Sequence, residues 1–185
     1  YNFHLYEISI YMIRKILKTN EPRLRQASKP VGLIDKKILN LIQDLKETLL
    51  VQKDPEGVGL AAPQIGKNLR IFVMKEKSNI KVVINPQVIK LNKGEEIKST
   101  KKDKIMEGCL SLPHYYGPLT RANKLRLKYK TVDGNEKEEE IEGFTAQIVQ
   151  HELDHLDGIL FIDRLLEQKK SLYKQKGDEW VEVDI

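Results

Sequence analysis

His151, Glu152 and His155 are the residues of this chain best placed to do chemistry together. They stand as His151-Glu152-Leu153-Asp154-His155, and on a helix two histidines four apart project to one side, about one turn from each other. That geometry suits two corners of a tetrahedral metal site, with the glutamate between them placed to handle a proton. By ordinary residue usage the pattern arises by chance in roughly one chain of this length in a few hundred, so a surface helix that merely carries two histidines stands as the alternative. A catalytic site of the zinc type keeps three protein ligands and an open position for water, and a third donor has to come from elsewhere in the chain.

One continuation of the motif, that of the metzincins, asks for a glycine and then a third histidine. Gly158 fits the first requirement, but Phe161 occupies the second and cannot bind metal. A gluzincin-like metallopeptidase would take a glutamate further on, for which Glu167, Glu179 or Glu182 could serve. These lie in a polar tail of Gln168-Lys169-Lys170 character that reads as solvated surface. Cys109 is the remaining candidate, in Met106-Glu107-Gly108-Cys109-Leu110-Ser111-Leu112-Pro113, where Gly108 lets the backbone approach another group closely. A thiolate with two imidazoles is a borderline-soft donor set for ferrous iron or zinc. The same cysteine could instead be a small buried hydrophobe, or the nucleophile of a Cys–His dyad, though a dyad leaves Glu152 and the histidine spacing without a role.

The elements that must position these groups can be read from periodicity and turn residues. Glu21 to Arg25 and Lys29 to Gly32 read as turns and extended loop, because proline biases the residue before it out of the helix. Asp35 is a natural N-cap for a helix running to about Val51, with Ile38, Ile42, Leu45 and Leu49 on one buried stripe. The glycine-rich Gly57 to Gln64 segment follows, then strand-like runs Arg70 to Met74 and Lys81 to Pro86. Leu91 to Lys104 is polar and lysine-rich and reads as an exposed, mobile loop. Lys124 to Lys130 alternates as a half-buried strand does, Asp133-Gly134 marks a hairpin turn, and the acidic return Glu136 to Glu140 invites charge pairing across the strands. Thr145 to Leu156 is helical, closed by Gly158, and apolar over much of its circumference at Ile148, Val149, Leu153 and Leu156. Histidines on such a buried helix need partners, which favours a metal site. The expected architecture is one α+β domain.

Composition narrows the class further. At 185 residues, 40% hydrophobic and 32% charged, the chain is long enough for a core and is not of disordered or membrane type. A single cysteine rules out an internal disulfide framework and fits a reducing compartment. The net charge of +5 raises a non-catalytic, basic ribosome- or RNA-binding protein as an alternative, but no basic patch interleaved with aromatics of the RNA-binding kind is present. Tyr1 to Met12 carries no signal-peptide pattern, and the absence of an initiator methionine suggests a larger precursor.

Three stretches, Gly57-Val58-Gly59-Leu60-Ala61-Ala62-Pro63-Gln64, Glu107-Gly108-Cys109-Leu110-Ser111 and His151-Glu152-Leu153-Asp154-His155, together resemble the signatures of the peptide deformylases, in the same order. The likeness runs from about Ile13 to Leu165 and takes in Arg23-Leu24-Arg25 and Ile84-Asn85-Pro86. It implies an α+β fold in which a central helix bearing the histidine pair packs among antiparallel sheets, with a helix nearer the amino terminus. Residues 1–12 would then be an extension and 13–185 the catalytic domain. The implied activity is removal of the formyl group from the N-terminal formylmethionine of nascent polypeptides, releasing formate. Cys109, His151 and His155 match the family's metal ligands, for Fe²⁺ foremost and Zn²⁺, Ni²⁺ or Co²⁺ as substitutes. Glu152 matches the general acid/base, and Gln64 with the backbone N–H of Leu110 the donors to the developing oxyanion. Gly59 matches a glycine beside the substrate, and Arg121 a basic residue that shapes the cleft and the substrate's backbone path; a surface salt bridge is the plainer role for Arg121. Val58, Ile105, Phe144 and Ile148 are candidate walls of a methionine pocket. The resemblance makes formylmethionyl nascent chains the substrate and partner, with the ribosome surface nearby and neither nucleic-acid specificity nor a membrane. With the missing methionine it favours an organelle interior, plastid or mitochondrion, over the bacterial cytoplasm. Residues before Ile13, the charged insertion Lys93 to Lys104 and His114-Tyr115-Tyr116-Gly117 depart from the family pattern without touching a catalytic group.

Overall fold

Asp35 accepts a hydrogen bond from the backbone N–H of Ile38 (3.0 Å) and so caps helix α1 (Lys36–Leu50), as the sequence leads one to expect. The computed structural model describes residues 12–96, 106–177 and 179–184. The amino-terminal extension up to residue 11, Ile105 and the part of the lysine-rich insertion over 97–104 lie outside the described residues.

After α1 the chain forms β1 (Gly59–Ala61), a short 3₁₀ turn (Ala62–Ile65), β2 (Ile71–Glu76) and β3 (Asn79–Glu96). Further on come β4 (Glu107–Cys109), β5 (Leu112–Gly117), β6 (Ala122–Lys130) and β7 (Glu136–Glu142), then α2 (Gly143–Leu156), α3 (Phe161–Glu167), β8 (Leu172–Lys176) and β9 (Glu179–Val183). All the strand pairings named here are antiparallel, and they build a sheet of order β1-β2-β3-β6-β7 and a second of order β4-β5-β8-β9.

The two-residue period of β2 shows how the layers are made. Ile71 and Val73 pack with Leu41, Ile42, Leu45 and Leu49 of α1, while Phe72 and Met74 pack with Ile148, Val149, Leu153 and Leu156 of α2. The larger sheet is thus clad on both faces. Helix α2 is buried along nearly its whole surface, from Ala146 to Leu156 except Gln150, because one side lies on that sheet and the motif side turns toward β4. Its end is fixed by Gly158 at φ +75°, where an added Cβ would stand 2.6 Å from the carbonyl oxygen of Arg25.

The expected hairpin is present between β6 and β7, and its charges pair diagonally: Lys124 with Glu140 (2.9 Å), Arg126 with Glu138 (2.5 Å) and Lys128 with Glu136 (2.9 Å). One expectation is corrected. The backbone over Leu91 to Glu96, read as loop, continues β3, because β6 offers a long partner that satisfies its peptide groups whatever the side chains. The turn expected over Glu21 to Arg25 is a single 3₁₀ turn, Pro22–Arg25, seated by buried Leu24. The polar tail after Leu165 is solvated at Glu167, Lys169, Lys170, Glu179 and Glu182 as expected, and it carries in addition the β8–β9 hairpin, which pairs with β5 and puts Leu172 in the core beside Cys109 and Leu165.

Replacing Gly158 by alanine should cost at least about 1–2 kcal/mol from the left-handed backbone alone. Denaturant unfolding of Gly158→Ala would check this, and an unchanged midpoint would show that the end of α2 is not so fixed.

Candidate metal centre and active site

Cys109 ends β4, and His151 and His155 share one side of α2, so the contact between the second sheet and the helix brings the three together. Their donor atoms all lie within 4.8 Å of one another, and Cys109 Sγ is 3.2 Å from His155 Nε2. Donors about 2.0–2.3 Å from a tetrahedrally bound ion stand roughly 3.3–3.8 Å apart, so the arrangement suits a divalent metal. Among the described residues no other such cluster of histidine, cysteine and carboxylate donors is present. Glu167 pairs with Arg164 (2.8 Å) and Glu179 and Glu182 lie on exposed β9, so the downstream glutamates take no part. Phe161, where a third histidine would have stood, packs its ring 6.4 Å from that of His151.

The chemistry of the donors agrees with their spacing. Burial works against a thiolate, but the charge of His155 and hydrogen bonds from His151 and His155 outweigh it and draw the Cys109 thiol well below its ordinary range. His151 Nδ1 meets Glu107 Oε1 at 2.8 Å. Burial would raise the Glu107 carboxyl, yet hydrogen bonds from His151 and Arg121 bring it down to about 2. An ionised carboxylate can only accept, so Nδ1 carries the proton and the other ring nitrogen is left for a metal. Glu107 was legible only as a letter of its motif; the habit of ligand histidines to lean on a buried carboxylate is the signal that would have singled it out.

Glu152 is 3% exposed, and among the described residues its Oε2 finds no hydrogen-bond partner. Burial raises its pKa to about 7, in spite of the nearby imidazoles. Gly59 explains how the site stays tight: a Cβ there would collide with Glu152 Oε1 and lie 3.0 Å from Ile148 Cγ2. Gln64 Oε1 accepts from the Ala61 N–H (2.9 Å), which turns its Nε2 toward Ser111 Oγ (3.2 Å) and Cys109 Sγ (3.7 Å). Leu110 begins the tight turn between β4 and β5, directly after Cys109.

A cleft of about 290 Å³ opens over these groups, at the small end of ligand sites. Val58, Gly59, Gln64, Leu110, Phe144 and Ile148 line it with Cys109, His151 and Glu152, as do Tyr115 and Tyr116, whose part the sequence did not disclose. Ile105 lies outside the described residues. Arg121 is corrected: it does not line this cleft and makes no surface pair. It is 8% exposed, gives Nε and an Nη to Glu107 (2.9 and 2.7 Å) and the other Nη to Asp154 (2.7 Å), so its guanidinium is committed to these two buried carboxylates.

A buried carboxyl beside three convergent soft donors, with an amide donor locked in orientation, equips the protein to split a bond with water; it is a metal-dependent hydrolase by its site. The comparisons make this particular. The family model described as Polypeptide deformylase matches residues 13–171. The peptide deformylase of Dictyoglomus thermophilum is 43% identical over 157 residues, 85% of this chain and 95% of that protein. The crystal structure of peptide deformylase from Thermotoga maritima superposes with a TM-score of 0.74 at 37% identity, over 83% of this chain and 97% of that one. One from Legionella pneumophila gives 0.73 at 39% identity, over 83% and 86%. The chain belongs to the polypeptide deformylase family.

Cys109→Ala protein should be purified without the metal that the unaltered protein holds. Elemental analysis checks this, and equal metal content in the two would remove Cys109 from the ligand set.

Proposed function

We infer that this chain is a metal-dependent hydrolase that takes the formyl group from the N-terminal formylmethionine of nascent polypeptides and releases formate. The observation that carries the reading is that Glu152, with a carboxyl at about 7, and the oriented Gln64 amide face the same Cys109–His151–His155 cluster. Cys109, His151 and His155 would hold a divalent ion, which when bound would supply a Lewis acid and bring the pKa of water from 15.7 toward about 7. We propose Fe²⁺ as that ion, with Zn²⁺, Ni²⁺ and Co²⁺ as substitutes, since thiolate with imidazole suits all of them.

Glu152 does the proton work. It takes a proton from the attacking water and delivers it to the amine nitrogen as the C–N bond breaks, so that one carboxyl serves both halves of the reaction. The formyl oxygen gains charge as its carbon becomes tetrahedral. Gln64 Nε2 and the Leu110 backbone N–H are the donors we assign to it, and one such donor is worth roughly 3 kcal/mol. Gly59 and Leu110 crowd the reacting centre and favour a formyl over an acetyl group. Val58, Phe144 and Ile148 offer apolar surface to the methionine side chain, with Ile105 as a further candidate.

The catalytic unit spans 13–185, preceded by the extension over 1–12. The net charge of +5 supports work close to the polyanionic ribosome, where the substrate emerges. The basic strand β6 is paired with β7 glutamates, which argues against it as an RNA-binding face. The relatives from Dictyoglomus, Thermotoga and Legionella are bacterial, which favours a bacterial cytoplasm over an organelle as the setting. Among the described residues no helix is long and apolar enough to cross a membrane.

Protein purified without oxygen and loaded with Fe²⁺ should release formate from formyl-Met-Ala-Ser, and Glu152→Ala should keep the metal while losing turnover by a factor of about 10²–10⁴. No formate from the loaded, unaltered protein would sink the function, and near-normal turnover in Glu152→Ala would sink the role of Glu152.

A further inference from the structure

The hairpin β8–β9 begins at Leu172, one residue past the end of the family match. It nevertheless supplies two of the four strands in the sheet that carries Cys109. Lys174 and Tyr173 stand in register with Tyr115 and Tyr116 of β5, and the Lys174 ammonium lies 5.3 Å from the centre of the Tyr115 ring. Leu172 is buried with Cys109 and Phe161, and Val183 packs on the same cluster, so the hairpin is anchored by apolar contacts along one face.

Its other face meets the cleft through one aromatic contact. The Trp180 ring stands edge-on to that of Tyr116, with centroids 5.1 Å apart and planes at 80°. Tyr116 is opposite Gly108 in the ladder and lies so closely over it that a Cβ on Gly108 would be 2.6 Å from the ring. The ring therefore covers the backbone next to Cys109, is braced from outside by Trp180, and faces the cleft with what remains. Trp180 stays 46% exposed, more than a tryptophan spent only on a core would be. Val58, next to β1, and Phe144 and Ile148 of α2 line the same cleft and are assigned to the methionine side chain. The Tyr116 wall is left for the substrate residues beyond that methionine.

We propose that Trp180 is a positioning residue which fixes the Tyr116 ring as a wall for the peptide beyond the formylated methionine, so that the appended hairpin sets affinity for substrates longer than a dipeptide. The proposal rests on the deformylase reading. An immobilised aromatic face packs well on peptide planes and apolar side chains, whereas a ring free to swing loses order on binding.

Metal-loaded protein is assayed with formyl-Met-Ala and formyl-Met-Ala-Ser. In Trp180→Ala the ratio of the tripeptide KM to the dipeptide KM should rise about three- to tenfold, as the loss of one aromatic contact implies, and Trp180→Phe should bring it back. An unchanged ratio, or equal losses on both substrates accompanied by a lower melting temperature, would make the hairpin a structural brace and overturn the proposal. Trp180 is the one tryptophan in the chain, so its fluorescence gives a readout free of turnover. It should shift on titration with the product Met-Ala-Ser and not with free methionine; silence with the tripeptide overturns the proposal. Absence of formate from both substrates would instead count against the deformylase reading, with the fluorescence titration still deciding the role of Trp180.

Discussion

Glu107 accepts the Nδ1 proton of His151 and two donors of Arg121 in a place almost without water. Removing one partner from such a buried cluster leaves an uncompensated charge, which costs several kcal/mol, so the members hold one another in place. The chain of charges runs on: Arg121 also binds Asp154, and Asp154 binds Arg164 (2.7 Å), which joins β4, α2 and α3. Cys109 is the neighbour of Gly108 and Glu107 on β4, while both histidines are on α2. The geometry of the donor cluster is therefore the geometry of this β4–α2 contact, and the ion network is what sets it.

The second constraint is steric. Gly59 brings β1 against the Glu152 carboxyl with no room for a side chain, and the same strand leads into the turn that carries Gln64. That turn also fixes the orientation of the Gln64 side chain. Its carbonyl oxygen caps the Ala61 amide, and this capping is what points the nitrogen at Cys109 and Ser111. A side chain fixed at one end by the backbone loses little freedom when the other end acts, which is the condition for a preorganised donor.

The range of each interaction decides whether the sequence disclosed it or hid it. The cap at Asp35, the hairpin at Asp133-Gly134, the diagonal charges of β6 and β7 and the histidine pair on α2 are local or nearly so, and each was legible from a few neighbouring residues. Arg121 was not, because nothing within ten residues of it shows that Glu107 and Asp154, 14 and 33 positions away, will close on its guanidinium. The same holds for β3 beyond Leu91 and for the tail beyond Leu165, whose polar side chains conceal a backbone paired with distant strands. Cys109 was within reach only because its donor chemistry limits what it can join.

These differences in range bear on how the molecule divides its labour. The larger sheet with α1 and α2 on its faces buries most of the apolar side chains and leaves the motif side of α2 no freedom to turn. The smaller sheet packs on a smaller apolar cluster, holds Cys109 together with Tyr115 and Tyr116, and is completed by strands that lie past the family match. Chemistry tolerates little displacement, since an error of about 1 Å in a catalytic group can cost 10²-fold in rate. Recognition of an extended peptide tolerates more, because it is summed over many weak contacts. A helix locked in a three-layer core therefore suits the histidines and Glu152, and a sheet edge completed outside the family match suits the surface that receives the rest of the chain.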